Sequence, residues 1–516
     1  MRIRTRTAGL ALLASVVMSS GLLPSSVAGV AAAATCTAGT STDFNGDSVV
    51  DTVVADPNAT VSGVKGAGLV RVILGGGKGV FEISQATPGM NAAPEHGDGF
   101  GTSRTTYDAD GDGCTDLVVG VPYEDVTKDG VKLVDAGAIY IVHGRPTGIG
   151  EGSVIEGYSQ SGLDADTTTE AYDWFGQSVK GGETATGAPY LVVGVPGENV
   201  VTGGTDYADA GCVHYIQGST RTTVNQNDPG VPGTVEAHDR FGYSVAGTNR
   251  YFGVGIPGEA IESKTFAGGV AVFNHTLANG VPTALAGFDQ DAAGVTGTAE
   301  TDDGFGTSIA MTGHRPSDQT YNSDVLLAVG TPGEDIGTVT EAGGAAVFRI
   351  QPSGAYTETA AIDAAVADVE GDPVAGDFLG QRVAISNTDT SVVTTAATVR
   401  LAVGIPGKDV GAATDAGAVQ VFRPLGAIGA GDRLVTRGSG LPGTATRRDH
   451  LGMSLTGGAS NLYVGVPFSK ASGTTKGVLH VLTWADLDGT TSTGATTYQP
   501  GSGGLPDSGV SFGVVG

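Results

Sequence analysis

The chain has 516 residues, of which 86 are glycine and only 16% are charged, and its formal net charge is −27. Contacts with phosphates need clustered lysine and arginine, so this acidic composition excludes an unaided surface for binding nucleic acids. The glycines follow no three-residue period, which excludes collagen, and a hydrophobic content of 40% is too high for a chain that is disordered throughout.

The N-terminal segment has the pattern of an export signal. Arg2, Arg4 and Arg6 precede an apolar stretch over residues 8–23, and small residues follow as far as Ala34. These are the three regions of a secretory signal peptide. Polar residues and a proline interrupt the apolar stretch, whereas a membrane-spanning helix needs about 20 apolar residues. We therefore predict a signal peptide over residues 1–34 and a secreted, extracellular mature protein without a membrane span.

Export places the three cysteines in an oxidising compartment, where disulfides persist. Cys212 lies in an alternating segment that is typical of a strand, and we expect it to be a small buried hydrophobic residue. Cys36 and Cys114 both lie beside aspartate-rich loops, so we predict a disulfide between Cys36 and Cys114. A bridge that contained Cys212 would contradict this pairing.

Two aspartate-rich segments present oxygen atoms at alternate positions. In the second segment, oxygen ligands occupy positions 1, 3, 5 and 9, glycine lies at position 6, and the position-7 carbonyl adds one more oxygen. Calcium takes about 6 to 8 oxygen ligands in flexible geometry, so this pattern predicts calcium binding. The predicted ligands are Asp43, Asn45, Asp47, Val49 and Asp51 in the first segment and Asp108, Asp110, Asp112, Cys114 and Asp116 in the second. The alternative interpretation is an Asp- and Gly-rich turn without metal.

A strand that ends in Gly-x-Pro recurs along the chain. Its prolines are Pro122, Pro196, Pro257, Pro332, Pro406 and Pro467, and a weaker copy ends at Pro57. An aromatic residue or leucine followed by glycine precedes six of these strands, at Phe100, Phe175, Phe241, Phe305, Leu379 and Leu451. An alternating strand and a more variable fourth strand follow. We expect the Gly-x-Pro strand to be buried on both faces and the alternating strand to be half exposed.

Seven such units predict an all-β fold, a seven-bladed β-propeller of four-stranded antiparallel blades. A length that would otherwise suggest three or four domains is then one domain over residues 35–516. The first repeat lacks a Phe-Gly strand, whereas the chain ends in Phe512-Gly513, so we expect this C-terminal strand to pair into blade 1 and close the ring. The predicted repeats are 35–96 completed by 507–516, and then 97–170, 171–236, 237–300, 301–374, 375–446 and 447–506.

The order and spacing of these motifs resemble the FG-GAP repeats of the integrin α-chain propeller and of related secreted bacterial proteins. The resemblance covers about residues 43 to 516, with departures such as Gly-Val-Pro for Gly-Ala-Pro and leucine for phenylalanine in the last two full repeats. In that family, loops like the two above join the first and second strands and bind calcium. The resemblance therefore implies about two calcium sites, to which we assign a structural role.

This combination predicts a secreted, calcium-stabilised module for binding or cell adhesion, without catalysis and monomeric, whose partner is an extracellular protein or glycan. The loops after the Gly-x-Pro strands begin at Glu124, Glu198, Glu259 and Glu334, and they are either a binding face or solvated loops that keep the protein soluble. The alternative function is an extracellular carbohydrate-active enzyme or esterase, because propellers also host enzymes. Ser511 lies in a G-x-S-x-G pattern, but on an expected strand instead of the strand-to-helix turn that a hydrolase needs.

Overall fold

The computed structural model describes residues 36, 42–164, 167–472, 475–488 and 494–516. The predicted signal peptide over residues 1–34 lies outside these residues. The described part is an all-β seven-bladed propeller of mostly four-stranded antiparallel blades. We number the blades 1 to 7 in chain order.

Blades 1 to 3 contain three or four strands each, and two of them carry an additional hairpin. Blade 1 consists of β1 (Thr52–Asp56), β2 (Leu69–Leu74) and β3 (Gly79–Ile83). Blade 2 consists of β4 (Ser103–Tyr107), β5 (Asp116–Val121), β8 (Ala138–Val142) and β9 (Ile155–Tyr158), with the hairpin β6 (Val126–Lys128) and β7 (Val131–Leu133). Blade 3 consists of β10 (Ser178–Glu183), β11 (Pro189–Val195), β14 (Cys212–Gln217) and β15 (Thr220–Val224), with the hairpin β12 (Val200–Thr202) and β13 (Thr205–Tyr207).

Blades 4 to 7 follow the same order of strands. Blade 4 consists of β16 (Ser244–Gly247), β17 (Tyr251–Ile256), β18 (Gly269–Ala278) and β19 (Val281–Phe288). Blade 5 consists of β20 (Ser308–His314), β21 (Asp324–Thr331), β22 (Gly344–Ile350) and β23 (Tyr356–Ile362). Blade 6 consists of β24 (Val383–Asn387), β25 (Val399–Ile405), β26 (Ala418–Phe422), β27 (Arg433–Arg437) and β28 (Gly440–Leu441). Blade 7 consists of β29 (Ser454–Gly457), β30 (Asn461–Ser472), β31 (Thr475–Thr483) and β32 (Thr496–Tyr498).

The strands within a blade pair antiparallel, except β27 and β28, which pair parallel. Two short helices, α1 (Gln160–Leu163) and α2 (Trp484–Asp488), and one 3₁₀ turn (Gly75–Gly77) lie in the connections. None of the described helices is long and apolar enough to cross a membrane.

Burial follows from the way in which neighbouring blades cover each other. Up to their prolines the Gly-x-Pro strands are largely buried, as expected, with β5 and β25 buried at every residue. The expectation that the third strands are half exposed is wrong, because β26 is also buried at every residue and β22 at all but one. An apolar cluster such as that of blades 4 and 5 combines side chains from both blades, so each blade face is an interior surface.

The Phe-Gly motif joins each blade to the one before it. The backbone N–H of Phe175 donates to the carbonyl of Ala136 in blade 2 at 3.1 Å, and the bond recurs from Phe100, Phe241, Phe305, Leu379 and Leu451. Gly137 has a φ of +87°, and a Cβ on it would lie 2.3 Å from the Phe175 carbonyl oxygen, so only glycine fits this close approach. The motif is therefore a backbone contact between blades as well as a buried ring.

The C-terminal segment contacts both blade 1 and blade 7. The N–H of Ala55 donates to the carbonyl of Val514 at 2.9 Å, and Phe512 bridges Gly477 in a parallel arrangement. The Asp56 carboxylate accepts the N–H groups of Val510 and Ser511 at 2.9 and 2.8 Å. In the described residues this segment forms single bridges instead of a continuous strand.

Candidate metal centre

The aspartate-rich segment Asp108–Asp116, here called loop 2, joins β4 to β5. The carboxylate oxygens of Asp108, Asp110 and Asp112 lie within 4.8 Å of one another. Asp108 accepts the N–H groups of Gly111 and Gly113 at 2.7 and 2.9 Å, and these bonds coil the loop around the three side chains. Three carboxylates at such distances could hold a cation that prefers oxygen ligands.

Asp116, the predicted position-9 ligand, anchors loop 2 to the sheet. Its side chain is fully buried, and its two oxygens accept the N–H groups of Ala109 and Gly144, both at 2.8 Å. A Cβ on Gly144 would lie 2.1 Å from the Thr115 carbonyl oxygen, so glycine permits this close approach. Asp116 therefore determines the path of the loop. Its carboxylate lies within 4.8 Å of that of Asp110, but it is not part of the group formed by Asp108, Asp110 and Asp112.

The structure adds His143, which the sequence analysis did not identify. Its Nδ1 lies 3.2 Å from Asp116 Oδ2 and 3.5 Å from Asp110 Oδ2, and its Nε2 lies 3.5 Å from Glu156 Oε1. The contact with Asp116 raises the pKa of His143 to about 9, although partial burial opposes the shift. Together, His143, Asp110 and Asp116 form a second group that could bind a metal ion.

Residues of loop 2 line two cavities. One, of about 300 Å³, is bordered by Asp110, Asp112, His143 and Glu156. The other, of about 590 Å³, lies against Asp108 and Cys114 and extends to Lys180 and Tyr190 of blade 3. Loop 2 is therefore reachable from solvent on both sides.

The segment Asp43–Asp51, here called loop 1, is anchored in the same way. Asp51 is buried, and its oxygens accept the N–H groups of Phe44 and Gly75, both at 2.8 Å. Asp43 accepts the N–H groups of Asp47 and Ser48 at 3.1 and 2.6 Å. These contacts reproduce those of Asp116 and Asp108, so the two loops share one backbone design.

Loop 1 differs from loop 2 in the charges around it. Lys78 Nζ lies 2.5 Å from Asp47 Oδ2, and this hydrogen bond lowers the pKa of Asp47. The position-3 residue is Asn45, which accepts the N–H of Asp47 at 3.1 Å. The N–H of Val49 donates to Asp47 at 2.8 Å, and the Val49 carbonyl remains a predicted ligand. The Lys78 ammonium therefore forms an ion pair with one of the carboxylates of loop 1.

A disulfide connects the chain before loop 1 to the middle of loop 2. It joins Cys36 and Cys114 across 78 residues, with a Cα–Cα distance of 4.9 Å. Cys212 is free and buried in β14. The predicted position-7 residue of loop 2 is therefore also a covalent anchor.

Two comparisons relate this chain to known proteins. A family model described as FG-GAP repeat matches residues 100–142, from Phe100 to the end of β8. Residues 100–142 thus resemble an FG-GAP repeat. Loop 2 lies wholly inside this repeat, and FG-GAP repeats often bind calcium. Among solved structures, the chain is similar to Saccharomyces cerevisiae Sqt1, with a TM-score of 0.35 and 10% identity over 75% of this chain and 72% of that one.

Proposed function

We propose that the protein is a secreted, calcium-stabilised FG-GAP propeller that acts as a non-catalytic binding or adhesion module. The convergence of the Asp108, Asp110 and Asp112 carboxylates within 4.8 Å carries the calcium part of this proposal. Three like charges on one short loop repel each other, and a divalent cation removes that repulsion while it crosslinks the turn between β4 and β5. Calcium then stabilises the propeller, because it binds the folded loop and not the unfolded chain.

The secreted, extracellular location is supported by two features. The first is the signal-like pattern of residues 1–34, and the second is the Cys36–Cys114 disulfide, which is a common feature of exported proteins. Under this proposal the partner is an extracellular protein or glycan that binds to the loops at one end of the propeller.

The non-catalytic part of the proposal is supported by the environment of Ser511. Its hydroxyl donates to Asp56 Oδ1 at 3.0 Å and is also contacted by the Asn58 amide at 3.1 Å. The residue is only 2% exposed, so a substrate cannot reach the hydroxyl without a rearrangement. The G-x-S-x-G pattern is thus accounted for by contacts between the C-terminal segment and blade 1.

The proposal includes closure of the ring by the C-terminal segment. In every other Gly-x-Pro copy the middle residue is apolar or threonine, whereas the first repeat has Asp56. This carboxylate accepts the N–H groups of Val510 and Ser511, and Arg71 donates to the Ser508 carbonyl at 3.2 Å. The departure from the repeat pattern is therefore explained if Asp56 and Arg71 hold the C-terminal segment in place.

The function is tested with purified mature protein in two steps. Calcium binding is measured by isothermal titration calorimetry, and thermal unfolding is compared with and without EDTA; an unchanged melting temperature would remove the calcium part of the proposal. A glycan and extracellular-protein array is then screened alongside a panel of hydrolase substrates. Binding without turnover supports the proposed module, whereas turnover supports the enzyme alternative.

A further inference from the structure

Four blades contain the same cluster of buried acidic and amide side chains. An aspartate that precedes the Phe-Gly motif, a glutamate two residues after the Gly-x-Pro proline, and a glutamine from the preceding blade meet at each site. The sets are Gln85, Asp98 and Glu124 in blade 2, Gln160, Asp173 and Glu198 in blade 3, Gln226, Asp239 and Glu259 in blade 4, and Gln290, Asp303 and Glu334 in blade 5. We call these sets the interblade clusters.

The geometry of the four clusters is nearly identical. The glutamine Nε2 donates to the glutamate at 2.5 or 2.6 Å in all four. In blades 3 to 5 the glycine that precedes the glutamate donates its N–H to the carbonyl of the cluster aspartate, for example from Gly258 to Asp239 at 3.0 Å. In blades 3 to 5 the backbone therefore holds the segment of the glutamate against that of the aspartate.

Burial makes this proximity costly. The four aspartates are at most 1% exposed and the four glutamines at most 5%, while Glu124 is 7% exposed and the other glutamates are half-buried. Two carboxylates in such surroundings repel each other and lose hydration. The Oε1 atom of each of the four glutamines is also buried without a hydrogen-bond partner. Each cluster thus has more acceptor atoms than donors, even though a backbone N–H donates to each aspartate at 2.5 or 2.6 Å.

Blades 6 and 7 show what replaces the missing donor. In blade 6, Lys408 takes the glutamate position, and its Nζ lies 3.0 Å from Asp377 Oδ2. In blade 7, Ser469 takes that position, and Arg437 from blade 6 donates to Asp449 Oδ2 at 2.9 Å. Among the described residues, no lysine or arginine forms an ion pair with the acidic residues of the four clusters.

We propose that each of the four interblade clusters binds one proton, shared between its aspartate and glutamate, in the role that Lys408 and Arg437 fill in blades 6 and 7. The proton removes the repulsion between the carboxylates and supplies the missing donor. Burial is the main cause that raises the pKa of Glu124 and Glu198 to about 8 and that of Glu259 and Glu334 to about 7. The two carboxyls of a pair titrate together, so these values belong to the pair.

Other charged groups face the clusters and act on the same protons. Most are acidic and favour protonation, and the lysines are themselves paired with surface carboxylates. They are Glu95, Asp125 and Lys132 in blade 2, Glu170 in blade 3, Glu236 and Asp289 near blade 4, and Glu300, Asp335, Asp363 and Lys264 near blade 5.

The consequence is that the stability of the contacts between blades depends on pH. A carboxyl with a raised pKa in the folded state holds a proton that the unfolded chain releases at about pH 4. Its stabilising contribution is complete below that pH and is lost as the pH rises through the folded value, here about 7 to 8. Mildly alkaline solution therefore weakens the contacts of blades 2 to 5 with their predecessors and leaves those of blades 6 and 7 unchanged.

The test compares thermal unfolding of the full mature chain between pH 5 and pH 9 at constant ionic strength and saturating calcium. We expect the melting temperature of the wild type to fall from pH 5 to about pH 8, between the unfolded and folded pKa values, and to level off above that pH. Glu259→Gln keeps the shape and supplies a permanent N–H donor, so its melting temperature should fall less steeply. Glu262→Gln, at an exposed position three residues later, is the matched control and should follow the wild type.

Infrared spectroscopy detects protonated carboxyl groups directly, so it distinguishes proton binding from a purely structural role of the clusters. The carbonyl stretch of protonated carboxylic acid should be present in the wild type at pH 6.5, disappear by about pH 9, and be reduced in Glu259→Gln. If Glu259→Gln does not fold, Glu198→Gln serves in its place. The proposal is overturned if wild type and variant have the same pH dependence, or if the wild type at pH 6.5 lacks the protonated-acid band.

Discussion

Loop 1 and loop 2 share a backbone design and differ in what neutralises their carboxylates. In both, the last aspartate is buried and accepts one N–H from the loop and one from the neighbouring strand connection. In loop 1 a lysine contacts Asp47, whereas in loop 2 His143 lies beside Asp110 and Asp116 and a disulfide passes through Cys114. Loop shape and cation binding are therefore separable properties of the same motif.

The difference leads to an order of expected affinities. Loop 2 offers four aspartates, and loop 1 offers three aspartates and one asparagine, with one aspartate held by Lys78. Calcium affinity increases with the number of charged ligands and with the rigidity of the site. We expect loop 2 to be the tighter calcium site, and the following changes separate the two loops.

Deletion of residues 507–516 should have the largest effect and should act on loop 1 first. The deletion removes the buried Phe512 ring and the partner of Ala55, whose strand β1 begins directly after loop 1. Loss of one large buried aromatic side chain alone costs about 3–5 kcal/mol. Hydrogen exchange should show lost protection in loop 1 and β1 before loop 2 and β5.

The control for the deletion is Val510→Ser, because this side chain is 44% exposed and the substitution keeps the backbone. It should leave thermal unfolding close to that of the wild type. A truncated protein as stable as the full chain would contradict closure of the ring by this segment.

Removal of the disulfide should destabilise the protein by about 2–4 kcal/mol and act on loop 2. Cys36→Ser with Cys114→Ser releases a constraint that spans 78 residues, which increases the entropy of the unfolded chain. Because Cys114 lies in the loop, calcium affinity at loop 2 should also fall. Thermal unfolding of the double variant measures the first effect and titration calorimetry the second, and Cys212→Ser, which leaves the bridge intact, is the control.

Asp112→Asn should selectively remove calcium from loop 2. It deletes one of the three converging charges but keeps an oxygen that can accept the Cys114 N–H. At a calcium concentration of about 100 times Kd, bound calcium contributes about 2.7 kcal/mol, and this contribution should be lost. The variant should melt at the same temperature with and without EDTA if loop 2 is the main site. An undiminished EDTA effect would assign that role to loop 1.

Lys78→Gln should have the smallest effect, a gain of calcium affinity at loop 1 of a few-fold. The substitution removes an exposed cation that competes for Asp47 and leaves the fold unchanged, because exposed ion pairs contribute little to stability. Titration calorimetry of Lys78→Gln in the Asp112→Asn background isolates loop 1. Lys65→Gln, whose lysine forms no ion pair in the described part of the chain, serves as the control, and equal affinities would show that Lys78 does not compete.

The repeat pattern was sufficient to predict the propeller, because Gly-x-Pro and Phe-Gly mark strands that must pack closely at fixed intervals. It was not sufficient for contacts between repeats. His143 is 27 residues from Asp116 along the chain and follows β8, so no local spacing associates it with loop 2. Glu124 was expected in a loop at the surface, but Gln85 of the preceding blade covers it. The burial of the third strands also depends on packing against a neighbouring blade, so the sequence of a single repeat does not predict it.

The contact of Asp56 with Val510 and Ser511 brings together positions more than 450 residues apart in the chain. Such a junction allows the order of the blades along the gene to be changed without changing their order in space. A circular permutant could join the C-terminus to Cys36, which keeps the disulfide, and open the chain at the exposed turn Gly203–Gly204 between β12 and β13. It would then keep the interblade contacts described above while blade 3 would hold both chain ends.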